Sequence, residues 1–141
     1  SCNRVIQFYN DFSLCVSKSF VTMTPQEASF VKYAINSYLG MKVTFFNQLH
    51  DAALDFGCSP TRIINGVSAD KRIGYSHTRV PGFDGKKGFG GACLPKDMNA
   101  FVKFNQDLTL IAESVKINNK MREEYELDER EKNNNIKFED K

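Results

Sequence analysis

The chain has 141 residues, 41% of them hydrophobic and 26% charged, with a formal net charge of +2. That is enough apolar material for one core, and charges so evenly mixed give no electrostatic case for a nucleic-acid or membrane partner. No apolar run approaches the roughly 20 residues that span a bilayer, and no basic segment followed by an apolar one marks a signal peptide.

In chain order, residues 5–9 fit either helix or strand, and residues 19–23, apolar and β-branched, predict a strand. Two such short pieces cannot bury themselves; they read as the tail of something larger or as an edge packed on helices. Thr24-Pro25-Gln26-Glu27 predicts a helix start. Thr24 caps it, Pro25 takes the first position and Glu27 completes a capping box. Apolar residues then recur at Ala28, Val31, Ile35, Tyr38, Phe45, Leu49, Ala52 and Phe56, a helical stripe that Gly57 would close. A helix of about 32 residues is roughly 48 Å long, more than one small domain covers on all sides. A second stripe at Ala34, Met41, Phe46 and Ala53 suggests packing on two faces, as in a central spine or a dimer seam.

Ser59-Pro60 opens a second helix through Ile63, Ile64 and Val67. Residues 70–92 form a long glycine-containing loop, and loops of that length are functional or disordered. Pro95 predicts the start of a third helix with Met98, Phe101 and Val102 inward, and a fourth carries Leu110, Ile111, Val115, Ile117 and Met121. From about residue 126 the chain is charged and polar, which predicts a fraying helix end or a disordered tail.

The chemistry concentrates in Gly88-Phe89-Gly90-Gly91-Ala92-Cys93-Leu94-Pro95-Lys96-Asp97. Glycines allow close backbone approach, and a cysteine delivered to a helix start meets N–H groups that favour a thiolate. An isolated cysteine is otherwise a small buried hydrophobe. Asp97, four residues on, either balances the helix dipole or positions water. Lys96 is either solvated or an anion ligand. Lys32 and Asn36 share one face of the long helix; they form a solvated face or a half-buried pair that stabilises an oxyanion and orients a hydroxyl. Lys86 and Lys87 are surface lysines or phosphate contacts. The remaining cysteines, Cys2, Cys15 and Cys58, form no C-x-x-C pair with one another or with Cys93, so all four read as thiols of a reducing, cytoplasmic compartment. His50 and His77 are far apart in sequence, and no metal site is expected.

These residues resemble a family. The glycine–cysteine stretch is similar to the catalytic signature of UDP-glucose 6-dehydrogenases and their nucleotide-sugar relatives. Lys32-Tyr33-Ala34-Ile35-Asn36-Ser37-Tyr38-Leu39, followed by Phe46-Asn47-Gln48-Leu49, resembles that family's central helix, and Asp70-Lys71-Arg72-Ile73-Gly74 resembles the segment before the cysteine loop. The three blocks stand in the family's order. The resemblance implies an all-α fold, a long central helix packed with shorter ones like the C-terminal helical domain of 6-phosphogluconate dehydrogenase, with a short remnant of an α/β Rossmann domain at the N-terminus. The expected domains are 1–23 for that remnant, 24–125 for the helical dimerisation and catalytic domain, and 126–141 for the tail.

The implied reaction is a two-step oxidation of a UDP-glucose C6 alcohol to the acid, using NAD and water. By motif, Cys93 would be the nucleophile, forming a thiohemiacetal and then a thioester. Lys32 and Asn36 would hold the oxyanion and the sugar, and Asp97 would help activate water. Gly88, Phe89, Gly90 and Gly91 would pack against the nucleotide sugar, Lys96 would meet the cofactor, and Arg72 would reach across a two-fold homodimer built on the long helix. No G-x-G-x-x-G loop for NAD is present, so the chain is expected to be an inactive central-domain fragment. The loop between Arg72 and Cys93 is a few residues longer than the family's usual one. The alternatives are a GDP-mannose 6-dehydrogenase central domain, a helical dimerisation module without catalysis, and a nucleotide-sugar binding protein without chemistry.

Overall fold

The structure, a computed structural model, describes residues 2–14 and 19–139. Among them the architecture is entirely helical: α1 (Cys2–Phe12), α2 (Pro25–Asp55), α3 (Pro60–Ser68), α4 (Cys93–Phe104), α5 (Thr109–Arg122) and α6 (Glu129–Asn133). Cys15 lies outside the described residues. No helix is long and apolar enough to cross a membrane, and no cluster of metal-ligating side chains forms, among the described residues.

The chain divides into two compact units, Ser1–Val31 and Lys32–Lys141, with the boundary inside α2. In the first unit, the ambiguous residues 5–9 are helical and lie in α1. The strand expected at 19–23 does not form. A β-branched run needs a neighbouring strand to take up its backbone hydrogen bonds, and none lies among the described residues. The helix start at Thr24 is as the sequence predicts. The Thr24 N–H donates to Glu27 Oε2 at 2.7 Å, and the Glu27 N–H donates to Thr24 Oγ1 at 3.3 Å.

In the second unit α2 turns an unexpected face inward. Ser37, Gly40, Thr44 and Asn47, spaced by three and four, are buried, while the apolar residues Ile35, Tyr38 and Phe45 are exposed. The inner face is small and polar because its neighbours come very close. A Cβ on Gly40 would lie 2.1 Å from the Met98 sulfur. Thr44 Oγ1 donates to the Gly40 carbonyl at 3.1 Å and accepts from Ser114 Oγ on α5 at 3.0 Å. Of the second predicted stripe, Phe46 and Ala53 are buried. Gly57, at φ +68°, ends the helix, and the Cys58 N–H donates back to the Ala53 carbonyl at 2.8 Å, an αL closure of the Schellman kind.

Phe89, Met98, Phe101, Ile111 and Val115 form the core between the loop, α4 and α5. Tyr33 of α2 stacks on Phe101 with ring centroids 5.8 Å apart. The tail corrects the expectation of disorder. Residues 129–133 form α6, opened by an Asp128 capping box, and Glu131, Ile136 and Phe138 are buried. Its charged residues are not all solvated: Glu131 finds a buried cationic partner, and two apolar residues suffice to anchor so short a segment.

Candidate active site

Asp97 is the hub of the site. Its carboxylate is 2% exposed and receives Asn36 Nδ2 at 2.6 Å and Lys32 Nζ at 3.2 Å, both on the same oxygen. Lys32 and Asn36 are one turn apart on α2, and Asp97 lies in the first turns of α4, so two helices supply the cluster. Lys32 is 59% exposed and also stands 5.4 Å from the centre of the Tyr33 ring. Lys96 is exposed, with Nζ 3.9 Å from the other Asp97 oxygen.

Cys93 is the first residue of α4, one turn before Asp97. The helix therefore starts two residues earlier than Pro95 suggested; proline in a first turn sacrifices only an N–H that has no helical partner. The Cys93 thiol is exposed and free of disulfide bonding. The position combines access to solvent with the unpaired N–H groups of a helix start.

The glycine loop before it is held by side chains on three helices. Asn47 Oδ1 accepts from the Gly88 N–H at 3.1 Å. Asn118 of α5 brackets Phe89, accepting its N–H at 2.6 Å and donating to its carbonyl at 3.0 Å. Glu131 of α6 accepts from the Gly91 N–H at 2.9 Å. Behind the loop, Arg122 pairs with Glu131 and Asp84 at 2.7 Å each. Burial works to raise the Asp84 pKa, but the Arg122 guanidinium and the Lys86 N–H outweigh it and hold the carboxyl below its ordinary value.

Fixing the backbone this way decides what the loop offers. The amides of Gly88, Phe89 and Gly91 are already engaged, and the Phe89 ring belongs to the core. Gly90 is the loop amide that these side chains leave untaken. Beside the loop opens a cavity of about 490 Å³, walled by its glycines and by Tyr75, Arg79, Phe83 and Arg130. Arg79 stands 4.7 Å from the centre of the exposed Phe83 ring, so the loop puts a cation and an aromatic face on the rim.

Three candidate residues lie elsewhere. Arg72 is 88% exposed and forms an ion pair with Asp70 at 2.6 Å, which raises the guanidinium pKa and lowers that of Asp70. Lys86 and Lys87 are spent within the chain, on the Glu126 carbonyl and the Asp51 carboxylate. Burial works to raise the Asp51 pKa, and Lys87 and His50 together bring it below its ordinary value. Just after Arg72 in sequence, the buried Lys42 donates to the carbonyls of Ile73 and Gly74 at 2.7 and 3.2 Å, fixing the turn that opens the loop.

Sequence reasoning missed Asn118, Arg122 and Glu131. Asn118 had a faint signal, an amide within the apolar pattern of α5. Glu131 had the spacing of a capping box with Asp128, and Arg122 had none, being an ordinary charge in a charged stretch.

Comparisons with known proteins place this constellation in context. The chain is similar to a UDP-glucose 6-dehydrogenase of Bacillus subtilis, YwqF, at 27% identity over 123 residues, covering 84% of this chain and 26% of that protein. It is 33% identical over 102 residues to a UDP-glucose 6-dehydrogenase of Rhizobium meliloti, covering 70% of this chain and 22% of the relative. A Campylobacter jejuni UDP-glucose 6-dehydrogenase is 44% identical over 75 residues, covering 53% and 18% respectively. The chain thus spans about a quarter or less of the length of these relatives. Lys32, Asn36, Cys93 and Asp97 all fall within residues 26–121, the stretch that matches the central domain of the UDP-glucose/GDP-mannose dehydrogenase family, and the chain belongs to that family.

Proposed function

We propose that this chain is the catalytic and dimerising core of a nucleotide-sugar 6-dehydrogenase acting on UDP-glucose, with Cys93 as the covalent nucleophile. The observation that carries the reading is the meeting of Lys32, Asn36 and Asp97 one helical turn from Cys93.

The Cys93 thiolate adds to the C6 aldehyde carbon, forming a C–S bond while the carbonyl π pair moves onto oxygen. The Lys32 ammonium stabilises that oxyanion, and Asn36 orients it. At the thioester stage a water adds to the acyl carbon and gives its proton to the Asp97 carboxylate. The C–S bond then breaks and the cysteine sulfur leaves as thiolate, releasing the carboxylic acid. Residues 88–91 wall the sugar site, and Arg72, freed from Asp70, reaches a partner's site across a homodimer.

NAD is the oxidant the family implies. A dinucleotide sits in the crevice at the ends of parallel strands, on a helix N-terminus, and the described residues hold no strand. They do not fit the cofactor, so both oxidations, alcohol to aldehyde and thiohemiacetal to thioester, need an oxidant held outside them. In this reading residues 1–23 are the end of a Rossmann domain, residues 24–125 are the working domain, the protein acts in the cytoplasm, Lys96 faces the cofactor, and the chain alone does not turn over.

Peptide mapping after brief iodoacetamide treatment near neutral pH tests this. Cys93 should alkylate at least tenfold faster than Cys58, and UDP-glucose should slow it more than GDP-mannose does. Equal rates at the two cysteines sink the nucleophile; stronger protection by GDP-mannose moves the substrate to the mannose branch. A non-catalytic dimerisation module is the second reading, favoured by the exposed Ile35, Tyr38 and Phe45 on α2.

A further inference from the structure

We infer that Glu131, on a helix beyond the family-matched residues, is the positioning residue for the cysteine loop. The inference rests on the reading of Cys93 as the nucleophile, and it concerns the segment that follows residue 121.

Glu131 is 0% exposed, and each carboxylate oxygen has defined work. Oε1 accepts from the Gly91 N–H at 2.9 Å and from Arg122 Nη2 at 2.7 Å. Oε2 accepts from the Asp128 N–H at 2.8 Å, closing the capping box that starts α6. A buried carboxylate with a cation and two N–H donors is satisfied; with any of them missing it is costly. The ion pair therefore ties three things to one geometry: the start of α6, the end of α5, and a backbone amide two residues before the thiol.

The fit leaves no slack. A Cβ on Gly90 would lie 2.2 Å from Arg122 Nη2 and 2.4 Å from Glu131 Oε1. Arg122, 1% exposed, also reaches Asp84 in the loop, so both ends of the loop's second half converge on one guanidinium. Arg122 is packed between Tyr125 and Phe138, its guanidinium carbon 5.9 and 5.3 Å from their ring centres. Asn119 Nδ2 donates to the Glu139 carbonyl at 3.2 Å, which holds the far side of the segment. Bulk alone does not require a charge here. A carboxylate that spends one lone pair on the Gly91 amide, rather than both on arginine, is an arrangement for fixing that amide.

Hydrogen exchange and cysteine mapping on the full chain test the assignment. In Glu131→Ala the Gly91 amide should exchange at least tenfold faster than in the parent, and Cys93 should alkylate at least threefold more slowly, approaching Cys58. Amides of α3 serve as the control for folding. Glu131→Gln keeps a carbonyl acceptor for Gly91, while Asp84 still neutralises Arg122, and should restore most of both quantities. Should Glu131→Ala lose protection in α3 and α4 together, the paired variant Arg122→Met/Glu131→Met fills the same interior without charge and carries the test. Unchanged Gly91 exchange in a folded variant overturns the anchor. Faster Gly91 exchange with an unchanged Cys93 rate overturns its positioning role. A parent Cys93 no faster than Cys58 removes the nucleophile reading instead, and Gly91 exchange still decides the anchor.

Discussion

Asn36 and Asp97, 61 residues apart in sequence, meet through a 2.6 Å hydrogen bond from the Asn36 amide to Asp97 Oδ2. The bond joins α2 to α4 at the one carboxylate both helices share, and the Lys32 ammonium completes its shell. Removing the amide leaves a buried carboxylate short of a donor, which costs about 1–3 kcal/mol. Asn36→Ala should lower stability by that amount in urea unfolding. A change under about 0.5 kcal/mol, the scatter of ordinary surface substitutions, would show that water replaces the amide freely.

Glycine substitutions separate crowding from backbone conformation. Gly90→Ala meets Arg122 and Glu131 head on and should cost about 1–3 kcal/mol through overpacking. Gly57→Ala meets nothing, but holds φ at +68° and should cost about 1–2 kcal/mol through backbone strain alone. Only the first should also alter Cys93 alkylation. Parallel effects of both on the thiol would contradict the clamp on the loop.

Acid should loosen the same region. Folding lowers the Asp84 pKa from its ordinary 3.8, so between the two values the unfolded chain binds more protons and stability rises with pH. The contribution is complete above the unfolded value and is lost as pH falls through the folded one. Asp84→Asn should be less stable than the parent at pH 7 and show a shallower loss in thermal midpoint between about pH 5 and pH 2. Curves that stay parallel across that range would assign the acid sensitivity to other groups.

The outward face of α2 predicts self-association. Ile35, Tyr38 and Phe45 are large, apolar and exposed, and such residues in one row mark an interaction surface. Phe45→Arg should keep the helical circular dichroism of the parent and shift sedimentation toward the monomer. A parent that sediments as a monomer at high concentration removes the seam from the proposal.

Local signals in the sequence carried the helices well. The capping box at Thr24, the αL glycine at Gly57 and Ser59-Pro60 all act over a few residues, and all mark ends the structure keeps. The stripe on α2 marks a helix but does not say whether a spine within the chain or a dimer seam covers it. Periodicity reports that a face is apolar, and the structure buries Ser37, Gly40, Thr44 and Asn47 instead, because close approach selects small residues over large ones. Lys32, Asn36 and Asp97 were legible as a group through family resemblance; their contact depends on how two helices cross. The start of α6 had a local signal in the spacing of Asp128 and Glu131; the burial of Glu131 depends on a partner nine positions upstream, which no local pattern encodes.

The supports of the cysteine loop lie on both sides of it in the chain. Asn47 precedes the loop, whereas Asn118 and Glu131 follow it. During synthesis from the N-terminus, Cys93 therefore emerges while two of the three side chains that shape its approach do not yet exist. The Cys93 thiol then spends its earliest exposure on an unset backbone, and the loop before it is fully held only after residue 131 has been added and α6 has closed over Arg122. Setting of the loop is thus tied to the extent of translation and waits on the charged segment after α5.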